Sequence, residues 1–440
     1  MKRRNFLSNS SLAFGAALAL PALAGCEAES KTTPSIPTLD GSWESVRNQF
    51  ILSHKNVQMA QMLFASHPYP VRKAIEMHRQ KFDESPVEYW EENFMTIDDI
   101  QCEAAAKYMG AEKEEIALTD STTMGLALLY SGLKLKAGDE ILSTTHDHFV
   151  TDKAIDYAAA KNGATVKRIA EYDDPAEATV DEITSKIAAA ISEKTRIVAI
   201  TWVHSCDGLK HPIKEIAEVV KKANSNRDEA DRIYLCVDGV HGFGVENIDI
   251  KAMGCDFFCA GTHKWIFGPR GTGIIWAKKD AWDMVLPTIP AFSDDPYNMW
   301  MGITPEGPIA FNQLQTPGGF HTFEHRWSLH EGFKFQMAIG KEKVESRTRQ
   351  LALMVKEGIA EMNNVKGTTP MDPYLSSGIN GFRVKGMSAE EVVKAFHHKG
   401  VIASASPYLD SIPRLTPCVI NTEEEVQFAL KALREISQSA

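Results

Sequence analysis

The strongest constraint on this chain is a rhythm. From about Asp98, short apolar runs alternate with helical stretches. Runs at Ile116–Thr119, Glu140–Thr144, Thr165–Ile169, Ile197–Trp202, Ile233–Val237 and Phe257–Ala260 read as buried strands. Most are separated by helical stretches such as Ala154–Lys161, Val180–Ile191 and Ile213–Ala223. Strands that are apolar throughout, with helices between them, predict an α/β fold whose mostly parallel sheet is covered on both faces. Near Arg326 the rhythm gives way to a long helical tract reaching about Asn363. Strands near Ile379–Val384, Val401–Ala405 and Arg414–Val419 follow. Two later helices carry capping boxes, Ser388 with Glu391 and Thr422 with Glu425. The chain therefore divides into an N-terminal segment over 41–97 that packs with the small domain, a large domain over 98–320 and that smaller C-terminal α+β domain over 321–440. There is no internal repeat.

Composition narrows the class of partner. The 440 residues carry a formal net charge of −11, and three of the cations, Lys2, Arg3 and Arg4, fall at the extreme N-terminus. An acidic body argues against a nucleic-acid footprint and against adhesion to anionic lipid. Residues 1–26 read as an address rather than as part of the fold. Arg3-Arg4-Asn5-Phe6-Leu7 resembles a twin-arginine export signal. The apolar stretch from Leu12 to Gly25 is too short for an ordinary membrane span. Leu23-Ala24-Gly25-Cys26 resembles a lipobox, with Cys26 as the lipidated residue and residues 27–40 as a polar tether. The other reading is a plain signal peptide in which Cys26 is incidental. Either way the expected location is outside the cytoplasm, periplasmic or anchored, with membrane contact only through the lipid. Six cysteines remain, without CxxC or zinc-like spacing, so buried free thiols and no metal are expected.

The chemistry concentrates on two strand ends. Lys264, in Gly261-Thr262-His263-Lys264-Trp265, lies between two strand-like runs. An enclosed lysine there would lose basicity and become a nucleophile, whereas a lone lysine is usually a solvated surface residue. Asp238, in Val237-Asp238-Gly239-Val240-His241, ends a buried strand. Ligands bind at that edge of a parallel sheet, although a helix cap would use the same residue type.

Together these segments resemble the class V aminotransferases, fold type I enzymes dependent on pyridoxal 5'-phosphate, and most closely their isopenicillin N epimerase-like branch. The resemblance implies a mostly parallel seven-stranded sheet in the large domain. It also implies Lys264 as the catalytic lysine that carries the cofactor as an imine, and Asp238 on the pyridine nitrogen. Ser121, Thr122 and Thr123, with Thr262 and the adjacent His263, would bind on the phosphate side. His148, rather than His146, would stack on the ring, and Ser205 and His241 would reach the phenolic oxygen. Arg414, in Arg414-Leu415-Thr416-Pro417, would bind the carboxylate of an α-amino-acid substrate; its alternative role is an ion pair. The family further implies a homodimer. Here Phe320 stands where the family often has a threonine reaching across the dimer, with His321 or Thr322 as replacements. Within the family the expected outcome is transamination or epimerisation, with lysis as an alternative. Cysteine desulfuration is disfavoured because Ser404-Ala405-Ser406-Pro407-Tyr408 has no cysteine. A non-catalytic lipoprotein would have no need of Lys264, Asp238 and Arg414 together. A dinucleotide oxidoreductase would need a glycine-rich turn that Asp120-Ser121-Thr122-Thr123 lacks.

Overall fold

A computed structural model describes residues 38–305 and 307–439. The export signal, Cys26 and all but the end of the tether lie outside the described residues. Near the start, β1 (Val57–Gln58) is a two-residue strand. The large sheet is built from β2 (Ile116–Thr119), β3 (Glu140–Thr144), β4 (Thr165–Ile169), β5 (Thr195–Thr201), β6 (Tyr234–Asp238), β7 (Phe257–Gly261) and β8 (Gly273–Ala277). Their order is β2-β8-β7-β6-β5-β3-β4, and β8 runs antiparallel to both neighbours. The other pairings are parallel. Between β3 and β5 the chain order reverses, which opens a crevice at the carboxyl ends of the strands.

The two faces are set by the period of two along each strand. Leu235, Val237, Phe258 and Ala260 face one core, with Ile183, Ile216 and Phe333 from the helices over it. Cys236, Phe257 and Cys259 face the other, against Leu126, Leu129 and Ile155. Because Asp238 shares a face with Cys236, it points toward the helix Phe149–Asn162. The expected free thiols are present: Cys236, Cys255 and Cys259 are buried and unpaired, as are Cys102 and Cys418, and Cys206 is free and half-buried.

C-terminal to this, β9 (Val365–Gly367), β10 (Asn380–Val384), β11 (Val401–Ile402), β12 (Ser404–Ala405) and β13 (Pro413–Leu415) complete the strands. Four of them form an antiparallel sheet in the order β12-β13-β10-β9. Both capping boxes form, at the helices Ala389–His398 and Glu423–Gln438. The long helical tract is instead three helices, Phe323–Arg326, Leu329–Ile339 and Lys341–Ala360. Gly340, at φ +101°, supplies the second break. The strand expected over Arg414–Val419 stops at Leu415, where Cys418 turns its N–H to the Asn421 side chain.

Residues 41–97 do not pack only on the small domain. β1 pairs with β11 and Met59 enters the small core. Val46, Phe50 and Met62 are buried in the large one. Phe82, Tyr89 and Trp90 surround Trp327. No helix among the described residues is long and apolar enough to cross a membrane.

Candidate active site

A cavity of about 240 Å³ opens at the carboxyl edge of the large sheet. Lys264, His263, Asp238, His241 and His148 line it, from the ends of β7, β6 and β3. Ser121, Thr122, Thr123, Ser205 and Arg414 complete its polar wall. Thus ten of the eleven residues singled out from sequence in the fold meet in one place. The exception is Thr262. It is fully buried and its hydroxyl pairs with Thr272 Oγ1 at 2.6 Å, so it braces the β7–β8 turn instead of reaching the cavity.

Lys264 is presented by this turn, which is anchored by the buried side chains of Trp265, Ile266 and Phe267. Phe267 has φ +59°, an uncommon conformation for a bulky residue, held by ring contacts with Phe50 and Phe335. The Lys264 Nζ lies 3.2 Å from His241 Nε2. Burial pushes the amine down to about 8, although Asp238 pulls in the opposite direction. Burial, and then the proximity of Lys264, holds His241 well below the usual imidazole range. The neutral ring accepts from Trp265 Nε1 at Nδ1, 3.4 Å away, so the hydrogen-bond network assigns its proton to Nε2. When the amine is unprotonated, Nε2–H donates to its lone pair.

Asp238 is 5% exposed, and burial pushes its carboxyl up to about 6. Its oxygens accept from Val240 N and Thr151 Oγ1, each at 3.2 Å. Two neutral donors leave the charge uncompensated, so the site favours a cationic N–H partner. Gly239 follows because Phe258 occupies the place of a side chain: a Cβ there would lie 1.9 Å from that ring. Thr151 was not singled out from the sequence. Its only signal is its place one turn into the helix after His148.

The opposite end is an anion site. Ser121 caps the helix Thr122–Gly132 by accepting from Met124 N at 3.1 Å. The first-turn N–H groups of Thr122 and Thr123 have no partner within the helix, and the helix dipole adds positive potential. Thr122 Oγ1 is fixed by Gly261 N at 2.8 Å.

His148 lines the cavity, with its ring in edge contact with Tyr408 at 5.7 Å. His146 instead stacks on Tyr172 at 4.0 Å, away from the cavity wall. Ser205 is also on the wall, but its hydroxyl is 2.8 Å from Tyr408 OH, so the expected contact to the phenolic oxygen competes with an existing one. Tyr408 was missed because nothing marks a lone tyrosine in a loop. Phe320 does not line the cavity; it is 79% exposed and stacks on Trp90.

The donor set fits pyridoxal phosphate: an amine of lowered basicity, a carboxylate wanting a cationic N–H, and a helix N-terminus for a phosphate. Comparison with known proteins agrees. The chain is 26% identical over 350 residues to isopenicillin N epimerase of Streptomyces clavuligerus, covering 75% of this chain and 82% of that protein. It is 25% identical over 351 residues to a probable cysteine desulfurase of Pyrococcus abyssi, covering 76% and 82%. A solved structure of a C-DES variant, with glycine covalently linked to its PLP cofactor, superposes with a TM-score of 0.77 at 19% identity, covering 88% of this chain and 99% of the other. The fold is that of the fold type I enzymes, and the cofactor is pyridoxal phosphate. The class-V aminotransferase family model matches residues 91–407, and the chain belongs to that family of enzymes.

Proposed function

We propose that this enzyme takes an α-amino acid, or a compound presenting one, and removes its α-proton, ending in epimerisation or transamination. The observation that carries this is the arrangement of Arg414. Its guanidinium is buried, with Nε donating to Ser404 Oγ at 3.2 Å, one Nη to the Ser205 carbonyl and the other to the Ala405 carbonyl at 2.9 Å. A guanidinium has five N–H groups. Three are used, which leaves one on each Nη for a carboxylate. Burial lowers the group only to about 10, so it stays charged at neutral pH.

When bound, pyridoxal phosphate supplies a carbon that amines attack and a ring that takes up the electrons of the Cα–H bond. Asp238 would hold its ring nitrogen, Ser121, Thr122 and Thr123 its phosphate, and His148 its face. Lys264 Nζ, with basicity lowered, takes the α-proton, and His241 Nε2–H orients that amine. Likeness to isopenicillin N epimerase favours return of the proton to Cα, which is epimerisation, over transamination. Sulfur transfer is disfavoured. The loop 404–408 has no cysteine, and the nearby Cys206 sits 3.3 Å from Ser406 Oγ with its thiol pushed up to about 11 by burial.

The same reading includes a homodimer. The segment from 286 to 320 exposes Leu286, Trp300, Met301, Ile303 and Phe320, with Trp300 at 84%. It also includes twin-arginine export and anchoring at Cys26, which rest on the sequence of residues 1–26. Export of an already folded, cofactor-loaded protein suits that route. The test is Arg414→Lys, which keeps the charge and loses the guanidinium. The expected result is cofactor absorbance unchanged, amino-acid KM raised at least about tenfold, and loss of α-deuterium exchange at low substrate. Normal amino-acid handling by the variant, or preference of the wild type for amines without a carboxylate, would refute the assignment.

A further inference from the structure

Beside the cavity, on the loops after β3, β4 and β5, lies a largely buried knot that the chemistry above does not use. It holds three imidazoles, His146, His204 and His211, and three carboxylates, Asp147, Glu171 and Asp207. Among the described residues, every ion pair of these carboxylates is with an imidazole; no lysine or arginine pairs with them.

The hydrogen bonds assign the protons. His211 Nδ1 lies 2.7 Å from the carbonyl oxygen of Thr201, which can only accept, so Nδ1 carries the proton. A neutral His211 then presents an Nε2 lone pair, yet this atom faces Glu171 Oε1 at 3.1 Å. Tyr172 OH donates to Asp207 Oδ2 at 3.0 Å and therefore accepts from His204 Nδ1 at 2.7 Å. This leaves His204 Nε2 as a second lone pair. It is wholly buried and has no hydrogen-bond partner among the described residues. The ligand atoms of Glu171, His204 and His211 all lie within 4.8 Å of one another. Two imidazole lone pairs and a carboxylate converging in a dry interior repel one another unless a metal ion, or a proton on an imidazole, sits between them.

We propose that Glu171, His204 and His211 bind a divalent transition metal of the zinc class. Two imidazoles and one carboxylate form a set that zinc accepts. Each imidazole already makes the outer contact that metal-ligating histidines make, one with a backbone carbonyl and one with a tyrosine hydroxyl. Zinc bonds of about 2.0–2.1 Å at tetrahedral angles place ligand atoms roughly 3.3 Å apart, a spacing His211 and Glu171 already have. Asp147 Oδ1, 3.8 Å from His204 Nε2 and without a hydrogen-bond partner among the described residues, is a candidate fourth ligand, and two carboxylates would neutralise the ion. Glu171 comes from the loop after β4, and His204 and His211 come from the loop after β5, seven residues apart, so no sequence pattern announces them. The role is positional. The metal ties the loop after β4 to the loop that carries Ser205 into the cofactor cavity, and through Asp147 it reaches the loop that carries His148.

The test uses the full-length chain, made without a polyhistidine tag in zinc-supplemented medium, and measures bound metal by elemental analysis. About one zinc per wild-type chain is expected, and at least about tenfold less in His204→Gln. Because a buried substitution can also cost stability, the wild type is stripped with chelator and refilled with cobalt(II). Visible cobalt absorbance, with a melting temperature that falls on stripping and returns on refilling, supports the site independently of turnover. Wild-type protein that binds neither zinc nor cobalt, and melts unchanged after chelation, overturns it; protons on His146 and His211 then neutralise the cluster.

Discussion

Two buried lysines respond to burial alike and do opposite work. Lys264 and Lys356 are each pushed down to about 8 by loss of solvent. Lys356 donates to the carbonyls of Pro370 and Met371, at 2.9 and 3.2 Å, and to Ser376 Oγ at 2.8 Å. Three acceptors take all three ammonium hydrogens, so the group plugs the loop after β9 and has nowhere to react. Lys264 has His241 on one side and the cavity on the other. Lys210 is a third case, neutralised directly by Glu246 at 2.7 Å. Lowered basicity is therefore necessary for a nucleophilic lysine but does not identify one. Unclaimed space beside the nitrogen does.

The sharpest way to break this contrast is to remove each amine. Lys264→Ala should lower turnover by at least about 10³-fold while leaving circular dichroism unchanged, since positioned proton transfer alone contributes 10²–10⁴-fold. Lys356→Met should leave kcat/KM within about twofold. Comparable losses in both variants would show that burial, and not access, is what matters. The next largest effect is expected at Asp238, the carboxylate that shares the cavity with Lys264. Asp238→Asn removes a charge-assisted hydrogen bond worth roughly 1.5–3 kcal/mol, so cofactor affinity should fall about 10- to 150-fold, read by fluorescence titration. An unchanged dissociation constant would remove Asp238 from the site.

The same contrast explains what could be read from the sequence. Lys264 and Asp238 sit within three residues of strand ends, and buried apolar strands announce themselves, so position alone suggested both residues and the family pattern gave them roles. β2, β3 and β4 fall where the apolar runs begin and end. His148 and Arg414 needed the resemblance to the family, because a histidine in a loop or an arginine on a short strand carries no signal of its own. Thr262 misled for a related reason. It neighbours Lys264 in sequence, but along the loop between β7 and β8 successive side chains point in different directions, and this one meets Thr272. Thr151 and Tyr408 stayed invisible since each acts through a contact between distant segments, with Asp238 and Ser205. The helix break at Gly340 was missed because its flanking residues continue an unbroken helical pattern.

Stability should separate the lysines in the other direction. Lys356→Met strands two carbonyls and a hydroxyl, each needing a donor in a buried place. A loss of about 1–3 kcal/mol in denaturant unfolding is expected. Lys264→Met frees a single group, the His241 Nε2–H, which borders the cavity, while His241 Nδ1 keeps the Trp265 contact. It should be neutral or stabilising in cofactor-free protein. Equal losses would mean that Lys264 is also a structural plug.

The smallest effect is the most discriminating, because it reads basicity directly. Each amine titrates near 8 when folded and near 10.5 when unfolded. Between those values the unfolded chain holds a proton that the folded chain has released. Stability therefore rises with pH across that window, by at most about 1.4 kcal/mol per pH unit for each lysine. Other groups add their own slopes, so the informative quantity is wild type minus variant between pH 8 and 10.5. Asp238 does not interfere: its folded value of about 6 lies above the usual 3.8, and its contribution, which falls as pH rises, is complete below this window. In cofactor-free protein, Lys264→Met and Lys356→Met should each flatten the rise. With cofactor bound, the Lys264 nitrogen is committed, and only Lys356→Met should still flatten it. A Lys356 variant whose slope matches wild type would show that its three acceptors keep it fully basic. The two lysines would then differ in charge as well as in access.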